Sequence, residues 1–311
     1  MKKGLVSVIS ACYNKSTHIE RFIRSIMKQE YRPIELIIMD DGSTDDSWSV
    51  IKNLESECSV CGITTKFMQQ KNMGVGHAIN ACLRKVEGEF LCWPDCDDWL
   101  ERDSISKRVL FLQKHRRYSI VTSNADYFQE DDLEKPVGRI ADDEVNYVEN
   151  QFFLILNGKS IVCPGCHMVR TGALFKAMGG NQIFPSRYGQ NLQILYPILY
   201  HSPRGFINEA LYHYVVYNKS LSHDINTFEK AWEHRLGRFQ IKVETIKRIA
   251  DMSDTKKEKC IKIVSINEAR YRLNLAKEYK RVSIAKEQII WLAKLKRLNA
   301  RDCLNFLLTI V

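Results

Sequence analysis

No stretch of this chain approaches the roughly 18 consecutive apolar residues needed to cross a bilayer, and no apolar segment near Met1 reads as a secretory leader. The sequence therefore predicts a cytoplasmic protein. Helix breakers are scarce in the last third: Phe228 to Val311 contains no proline and one glycine, Gly237. Without them the segment reads as successive helices, roughly Phe228 to Met252, Lys256 to Lys277 and Val282 to Leu308. Balanced charge is missing there too. Those residues hold 20 Lys and Arg against 10 Asp and Glu, a net of +10, while residues 1–227 hold 26 against 27, a net of −1. The chain thus divides into residues 1–227 and a basic helical region, residues 228–311. Ile289, Leu292, Leu295 and Leu298 recur beside Lys294, Lys296, Arg297 and Arg301, a pattern that suits a helix on an anionic membrane surface. A packed appendage with a solvated basic face explains the same residues. No nucleic-acid motif accompanies the charge, so nucleic acid is not expected as a partner.

The ten cysteines fit a cytoplasmic chain if they are reduced, and Cys82 and Cys92 sit in apolar surroundings where cysteine acts as a small hydrophobe. Cys58 with Cys61 and Cys163 with Cys166 would make a zinc site only if segments about a hundred residues apart met. At 311 residues and 45% apolar composition, the chain can bury a full core.

Within the first third, a strand, a polar loop and a helix recur. Leu5 to Ile9 leads through Ser10–Asn14 into a helix with Ile19, Phe22, Ile23, Ile26 and Met27 at helical spacing. Glu35 to Met39 ends in Asp40, Asp41, Gly42, Ser43, Thr44, Asp45 and Asp46, with Ser43 and Asp46 spaced as a capping box. The densest signal follows the apolar run Phe90–Trp93, where Asp95, Asp97 and Asp98 fall within four residues. Like charges this close repel and raise one another's pKa, so the cluster points to an oxygen-seeking divalent cation. A solvated Asp-rich turn with a helix cap is the plainer alternative. Acidic loops at carboxyl strand ends are where open α/β sheets bind ligands, which favours the metal and phosphate reading. Gly74 and Gly76 precede a helix beginning near His77, where exposed amides can approach phosphate oxygens. They are not a dinucleotide fingerprint, because the third glycine is Ile79 and the pattern does not follow the first strand.

Taken in order, Val6–Ile9 with Tyr13 and Asn14, Asp41–Asp45, Asn72–Gly74 with Ala78 and Asn80, Gly88–Phe90 and Asp95–Asp98 resemble the family 2 glycosyltransferases of the GT-A fold. The resemblance implies a mixed α/β sheet flanked by helices, followed by a C-terminal helical region. It implies that Ala11, Tyr13, Asn14, Asp41, Asn72, Gly74 and Asp95 bind the nucleotide donor, that Asp97 meets the ribose, and that Asp98 and Asp97 hold Mn2+ or Mg2+. It further implies an inverting enzyme that uses a nucleotide-sugar donor, a UDP-sugar by expectation. The acceptor would be a glycan or lipid-linked molecule of surface polysaccharide synthesis, reached from the inner face of the plasma membrane. His223, in Ser220–His223, matches the Ser-x-Ser-His that closes many such domains and can reach the diphosphate. Three positions depart from the pattern. Ala11 stands where many members have Pro, Ile79 where many have Arg, and Gln190–Asn191 where a Glu-Asp pair supplies the acceptor-side base. An amide cannot be a general base, so Asp126, His167 and Glu209 are further candidates. The missing carboxylate also admits a catalytically inactive nucleotide- or glycan-binding module, and the basic tail a membrane-assembly protein.

Overall fold

The computed structural model describes residues 1–141, 144–217 and 226–310. The chain forms two compact units: Met1–Tyr217 with Arg248–Asp251, and Asn218–Lys247 with Met252–Val311. The first unit opens with four strands, β1 (Lys2–Cys12), β2 (Ile34–Asp40), β3 (Ile63–Gln69) and β4 (Gly88–Cys92). They lie parallel in the order β3-β2-β1-β4. Every residue of β2 is buried, as is most of β1, because strands covered on both faces read as continuous apolar runs rather than alternating ones. Glu35 interrupts the apolar run of β2. Its carboxylate accepts from Ser7 Oγ, from the Glu87 and Gly88 amides at 2.7 and 3.1 Å, and from Lys66 Nζ at 2.7 Å, so the buried charge is answered.

Helix α1 (Ile19–Met27) buries Ile19, Phe22, Ile23 and Ile26, the stripe that its sequence spacing predicts. The remaining strands make the sheet mixed: β5 (Trp99–Leu100), β6 (Ile120–Gln129), β7 (Gly138–Arg139), β8 (His167–Arg170) and β9 (Arg204–Val216). β8 is antiparallel to both β4 and β6, β6 runs parallel to β9, and β5 pairs antiparallel with β9 at the edge. Helices α2 (Ser47–Asn53), α3 (Glu55–Val60), α4 (Val75–Leu83), α5 (Ser104–Lys114), α6 (Phe152–Leu156), α7 (Thr171–Met178) and α8 (Asn191–His201) flank it. The mixed α/β sheet expected from the sequence is present.

The second unit is helical: α9 (Phe228–Arg248, whose last residue belongs to the first unit), α10 (Asp254–Glu278), α11 (Val282–Lys294) and α12 (Ala300–Ile310). The single helix read from Val282 to Leu308 is two. Lys296 takes a left-handed φ of 53°, and Asn299 and Asp302 exchange hydrogen bonds of 2.9 and 3.2 Å in a reciprocal cap that starts α12. The predicted surface seam is also partly internal. Leu292 is fully buried, and Ile289 packs against Leu273, Ala276 and Ala285. Among the described residues, no helix is long and apolar enough to cross a membrane. All ten cysteines are free, and no group of three or more His, Cys, Asp or Glu side chains among the described residues could hold a metal, so the two cysteine pairs make no zinc centre there.

Candidate active site

Because β1 to β4 are parallel, their carboxyl ends share one edge, with Cys12, Asp40 and Gln69 in register. The loops beyond that edge hold the candidate residues. The loop after β2 is braced from every side. Asp40 accepts from Ser43 Oγ, and from Gln69 Nε2 at 2.8 Å. Asp41 is buried and accepts from Gln70 Nε2 at 2.7 Å, the Met73 amide at 3.0 Å and the Gly74 amide at 2.8 Å. Asn14 ties this loop to β1: its Oδ1 accepts from the Thr44 amide at 2.8 Å, and its own amide donates to Ser43 Oγ at 2.9 Å. Gly42 is required here, since its φ is +74° and a Cβ would lie 2.7 Å from the Asn72 amide nitrogen. Ser43 is therefore not half of a capping box. Asp46 at the start of α2 makes no side-chain cap, and Asp45 instead accepts from the Ser47 amide at 3.0 Å and from Ser47 Oγ. Burial pushes the Asp45 carboxyl up, but hydrogen bonds from Ser47 and Ser16 outweigh it and hold the group at about 2.

The loop after β4 behaves differently. Its backbone is pinned, because Tyr217 Oη donates to the Asp97 carbonyl at 2.6 Å and Arg21 donates to the same carbonyl and to Tyr217 Oη. Asp98 turns inward with 1% exposure, where Tyr212 Oη donates to one carboxylate oxygen and the Val215 amide to the other at 2.8 Å. Burial first, then the charges of Asp97 and Asp95, hold its pKa well above the usual carboxylate range. Asp95 and Asp97, two residues apart, are both half-buried. Asp97 forms an ion pair with Lys15 Nζ at 2.7 Å, and Lys15 also lies over the Tyr217 ring. Burial lowers the Lys15 ammonium and the Asp97 carboxylate raises it, with a net rise. Asp95 is pushed up to about 7, by burial first and by Asp97 second.

The segment before α8 closes the other side. Gln190 Nε2 reaches Asp95 Oδ1 at 3.4 Å, and the buried Asn191 Oδ1 at the first position of α8 has no hydrogen-bond partner. This segment is held to α4 by Asn80, whose amide donates to the Ile183 carbonyl at 2.9 Å and accepts from its amide at 2.7 Å. Arg187 donates to Asn72 Oδ1 at 2.6 Å and to its carbonyl at 3.1 Å. Gly74, with φ +97°, lies where any Cβ would meet Arg187. The structure thus brings Gln190 to the acidic loop. Ala11 and Tyr13 stand half-buried at the end of β1, and Asn72 and Gly74 join the two sides. His223 falls outside the described residues. The other base candidates lie apart: Glu209 pairs with Lys107, Asp126 with Arg139 at 3.1 Å, and His167 is buried against Trp93 with Nδ1 bonded to Thr122 at 2.9 Å. Sequence reasoning missed Lys15 and Arg187. Lys15 carried a signal, as the one cation in the loop beyond β1 that faces an acidic loop.

Two half-buried carboxylates two residues apart fit a hard divalent cation. Mg2+ in particular is commonly held by one or two carboxylates completed by substrate phosphates and water, not by an all-protein cage. That donor set is compatible with the lack of a three-ligand cluster among the described residues.

The family described as glycosyl transferase family 2 matches residues 7–176. The chain is 29% identical over 168 residues to the Escherichia coli UDP-Glc:alpha-D-GlcNAc-diphosphoundecaprenol beta-1,3-glucosyltransferase WfaP, over 54% of this chain and 62% of that protein. It is 25% identical over 281 residues to the Campylobacter jejuni GalNAc(5)-diNAcBac-PP-undecaprenol beta-1,3-glucosyltransferase, covering 88% and 84% of the two chains. An uncharacterized glycosyltransferase of Haemophilus influenzae shares 34% over 116 residues, 37% of this chain and 45% of that one. The matches span about half the length of several of these curated relatives. In fold, the chain superposes on S. aureus TarS residues 1–349 in complex with UDP-GlcNAc with a TM-score of 0.64 at 16% identity, over 97% of this chain and 89% of that one. At that identity the likeness concerns the GT-A fold alone. With the family pattern running from β1 to α7, over more than half its length, this chain belongs to glycosyl transferase family 2.

Proposed function

We propose that the chain is an inverting glycosyltransferase that moves a sugar from a nucleotide-diphosphate donor, a UDP-sugar, to a glycan or lipid-linked acceptor of bacterial surface polysaccharide. The observation that carries this reading is the contrast inside one loop. Asp95 and Asp97 stay half-buried beyond the carboxyl end of β4, with Asp95 raised to about 7, while Asp98 is consumed by Tyr212 and Val215. An acid pair that nothing in the fold fully neutralises suits a cation and a diphosphate. The names of the E. coli and C. jejuni relatives, one of which specifies UDP-Glc and both a diphosphate-linked undecaprenol, support the donor and acceptor classes.

On this reading Asp97 and Asp95 hold Mn2+ or Mg2+, whose contribution when bound is to stabilise the charge that develops on the departing diphosphate. Asp98 works from behind, fixing the loop to β9 through Tyr212 and Val215. Lys15 balances Asp97 in the free protein and supplies a second cation beside the diphosphate. Asp41 orders the Gln70–Gly74 loop that borders the base, and Ala11, Tyr13 and Asn14 at the end of β1 take part in holding the donor. Gln190 and Asn191 orient the acceptor hydroxyl, since amides donate and accept but remove no proton. The test is calorimetry with UDP and MnCl2 followed by transfer assays on a donor panel. Mn2+-dependent UDP binding with turnover of one donor supports the reading. Tight nucleotide binding with no transfer or hydrolysis of any donor favours a binding module.

A further inference from the structure

The α11–α12 pair packs its inner side on α10, with Leu273, Ala276 and Ala285 forming a small core joined by Ile284, Ile289 and Phe306. Its outer side is left apolar. Ile290 is 45% exposed, Leu304 54%, Leu307 58% and Leu308 47%, and Leu304, Leu307 and Leu308 fall at i, i+3 and i+4 on one stripe of α12. Trp291 and Leu298 are also exposed. Five cations, Lys286, Lys294, Lys296, Arg297 and Arg301, lie on the same two helices and their connection, against Glu287 and Asp302. Among the described residues, none of those five side chains makes a hydrogen bond or ion pair, whereas Asp302 is used by Arg270 and by the α12 cap.

We propose that the α11–α12 pair is a docking surface for an anionic phospholipid bilayer, entered by Leu304, Leu307, Leu308 and Trp291 and held by Lys294, Lys296, Arg297 and Arg301. Exposed leucines on a helix stripe with a rim of unpaired cations are the features of a helix lying in the interface plane. The amphipathic indole of Trp291 suits the headgroup level. Charge selects this occupant over a second copy of the chain. A symmetric dimer would bring two sets of five cations together, while an anionic leaflet compensates them, each basic residue near the surface contributing about fivefold. Ile289 and Leu292 of the expected seam take no part, because Ile289 packs on the α10 core and Leu292 is buried. The inference stands on these helices alone and does not depend on the transfer reaction.

The experiment is sedimentation of the whole chain with sucrose-loaded vesicles of pure phosphatidylcholine or of phosphatidylcholine with 30 mol% phosphatidylserine. We expect partition onto the anionic vesicles, at least tenfold weaker onto the neutral ones and weakened by added salt. L304S/L307S/L308S should reduce anionic-vesicle binding at least tenfold, and K294Q/K296Q/R297Q/R301Q should do the same while leaving the leucines in place. Both variants change exposed side chains, so circular dichroism and the thermal midpoint are to match the unsubstituted chain. Partition unaffected by either variant overturns the proposal. So does an absence of binding to anionic vesicles, or sedimentation velocity showing a dimer that L304S/L307S/L308S dissociates, which would assign the face to a second copy.

Discussion

The two acidic loops of the first unit are made of the same residue and lie at the ends of the strands on either side of β1, yet they carry opposite electrostatics. After β2, each of Asp40, Asp41 and Asp45 accepts several internal hydrogen bonds, and Asp45 is held down at about 2. After β4, Asp95 is pushed up to about 7 and Asp97 depends on one lysine. The first loop is a brace, with carboxylates spent on backbone amides. The second keeps charge in reserve, and perturbed carboxylates cluster at functional sites. Asp98, which adjoins that pair, is also claimed by internal hydrogen bonds, from Tyr212 and the Val215 amide, but burial keeps its carboxyl well above the usual range, unlike Asp45.

Substitutions that separate activity from stability test that contrast. The largest effect is expected at Asp97. Asp97→Asn should lower sugar transfer by roughly 10³-fold, in keeping with the several kcal/mol that a cation supplies to a developing charge, with the thermal midpoint held within a few degrees because the loss of the Lys15 pair is offset by less repulsion on Asp95. A fall in stability matching the fall in rate would make this loop a brace as well. Asn191 comes next. Asn191→Ala should reduce acceptor-dependent turnover while donor binding persists, and Asn191→Asp should retain or raise it, by up to the 10²-fold or more that a general base contributes. Wild-type turnover by both would remove α8 from the acceptor side.

At Asp41 the order of effects reverses. Asp41→Asn places an amide donor against the Gly74 or Met73 amide and should destabilise the first unit by about 1–3 kcal/mol, read as a lower thermal or urea midpoint, with nucleotide affinity falling only as the loop loosens. Unchanged stability with abolished UDP binding would make Asp41 a direct ligand of the base. The smallest effect belongs to Asp45. Its folded pKa lies below the unfolded value of 3.8, so the stability it contributes is present above that value and is lost as the pH falls towards about 2. Because the side chain is exposed, solvent screening keeps this contribution small. Asp45→Asn should flatten the acid limb of a stability profile between pH 4 and 2, and an unaltered limb would show that the Ser16 and Ser47 bonds do not hold the carboxylate.

Much of the frame was legible in the sequence, for identifiable reasons. Strands buried on both faces write continuous apolar runs, so Val6–Ile9 and Leu36–Met39 announce a parallel sheet. Helix α1 announces itself by the spacing of Ile19, Phe22, Ile23 and Ile26. Motif order then gave the family. Which aspartate turns inward was not legible, because Asp97 and Asp98 differ only in which way a turn throws the side chain, and the partners that claim Asp98 lie more than a hundred residues away on β9. The partner of Lys15 was hidden likewise, since the loops meet only across strands β1 and β4. In the tail, helicity was plain but the break at Lys296 was not, as its signal is the short Asn299 and Asp302 cap rather than proline or glycine.

On the proposed assignment the cation belongs to Asp97 and Asp95, with Asp98 as the anchor behind them. Titration calorimetry of UDP with and without Mn2+ on Asp97→Asn and Asp98→Asn tests it most directly. An asparagine at position 98 still accepts from the Val215 amide and can donate to Tyr212 Oη, so the fold is expected to survive. Asp97→Asn is expected to lose the Mn2+-dependent gain in UDP affinity and Asp98→Asn to keep it. A folded Asp98→Asn protein that has lost the gain, beside an Asp97→Asn protein that retains it, would contradict the assignment.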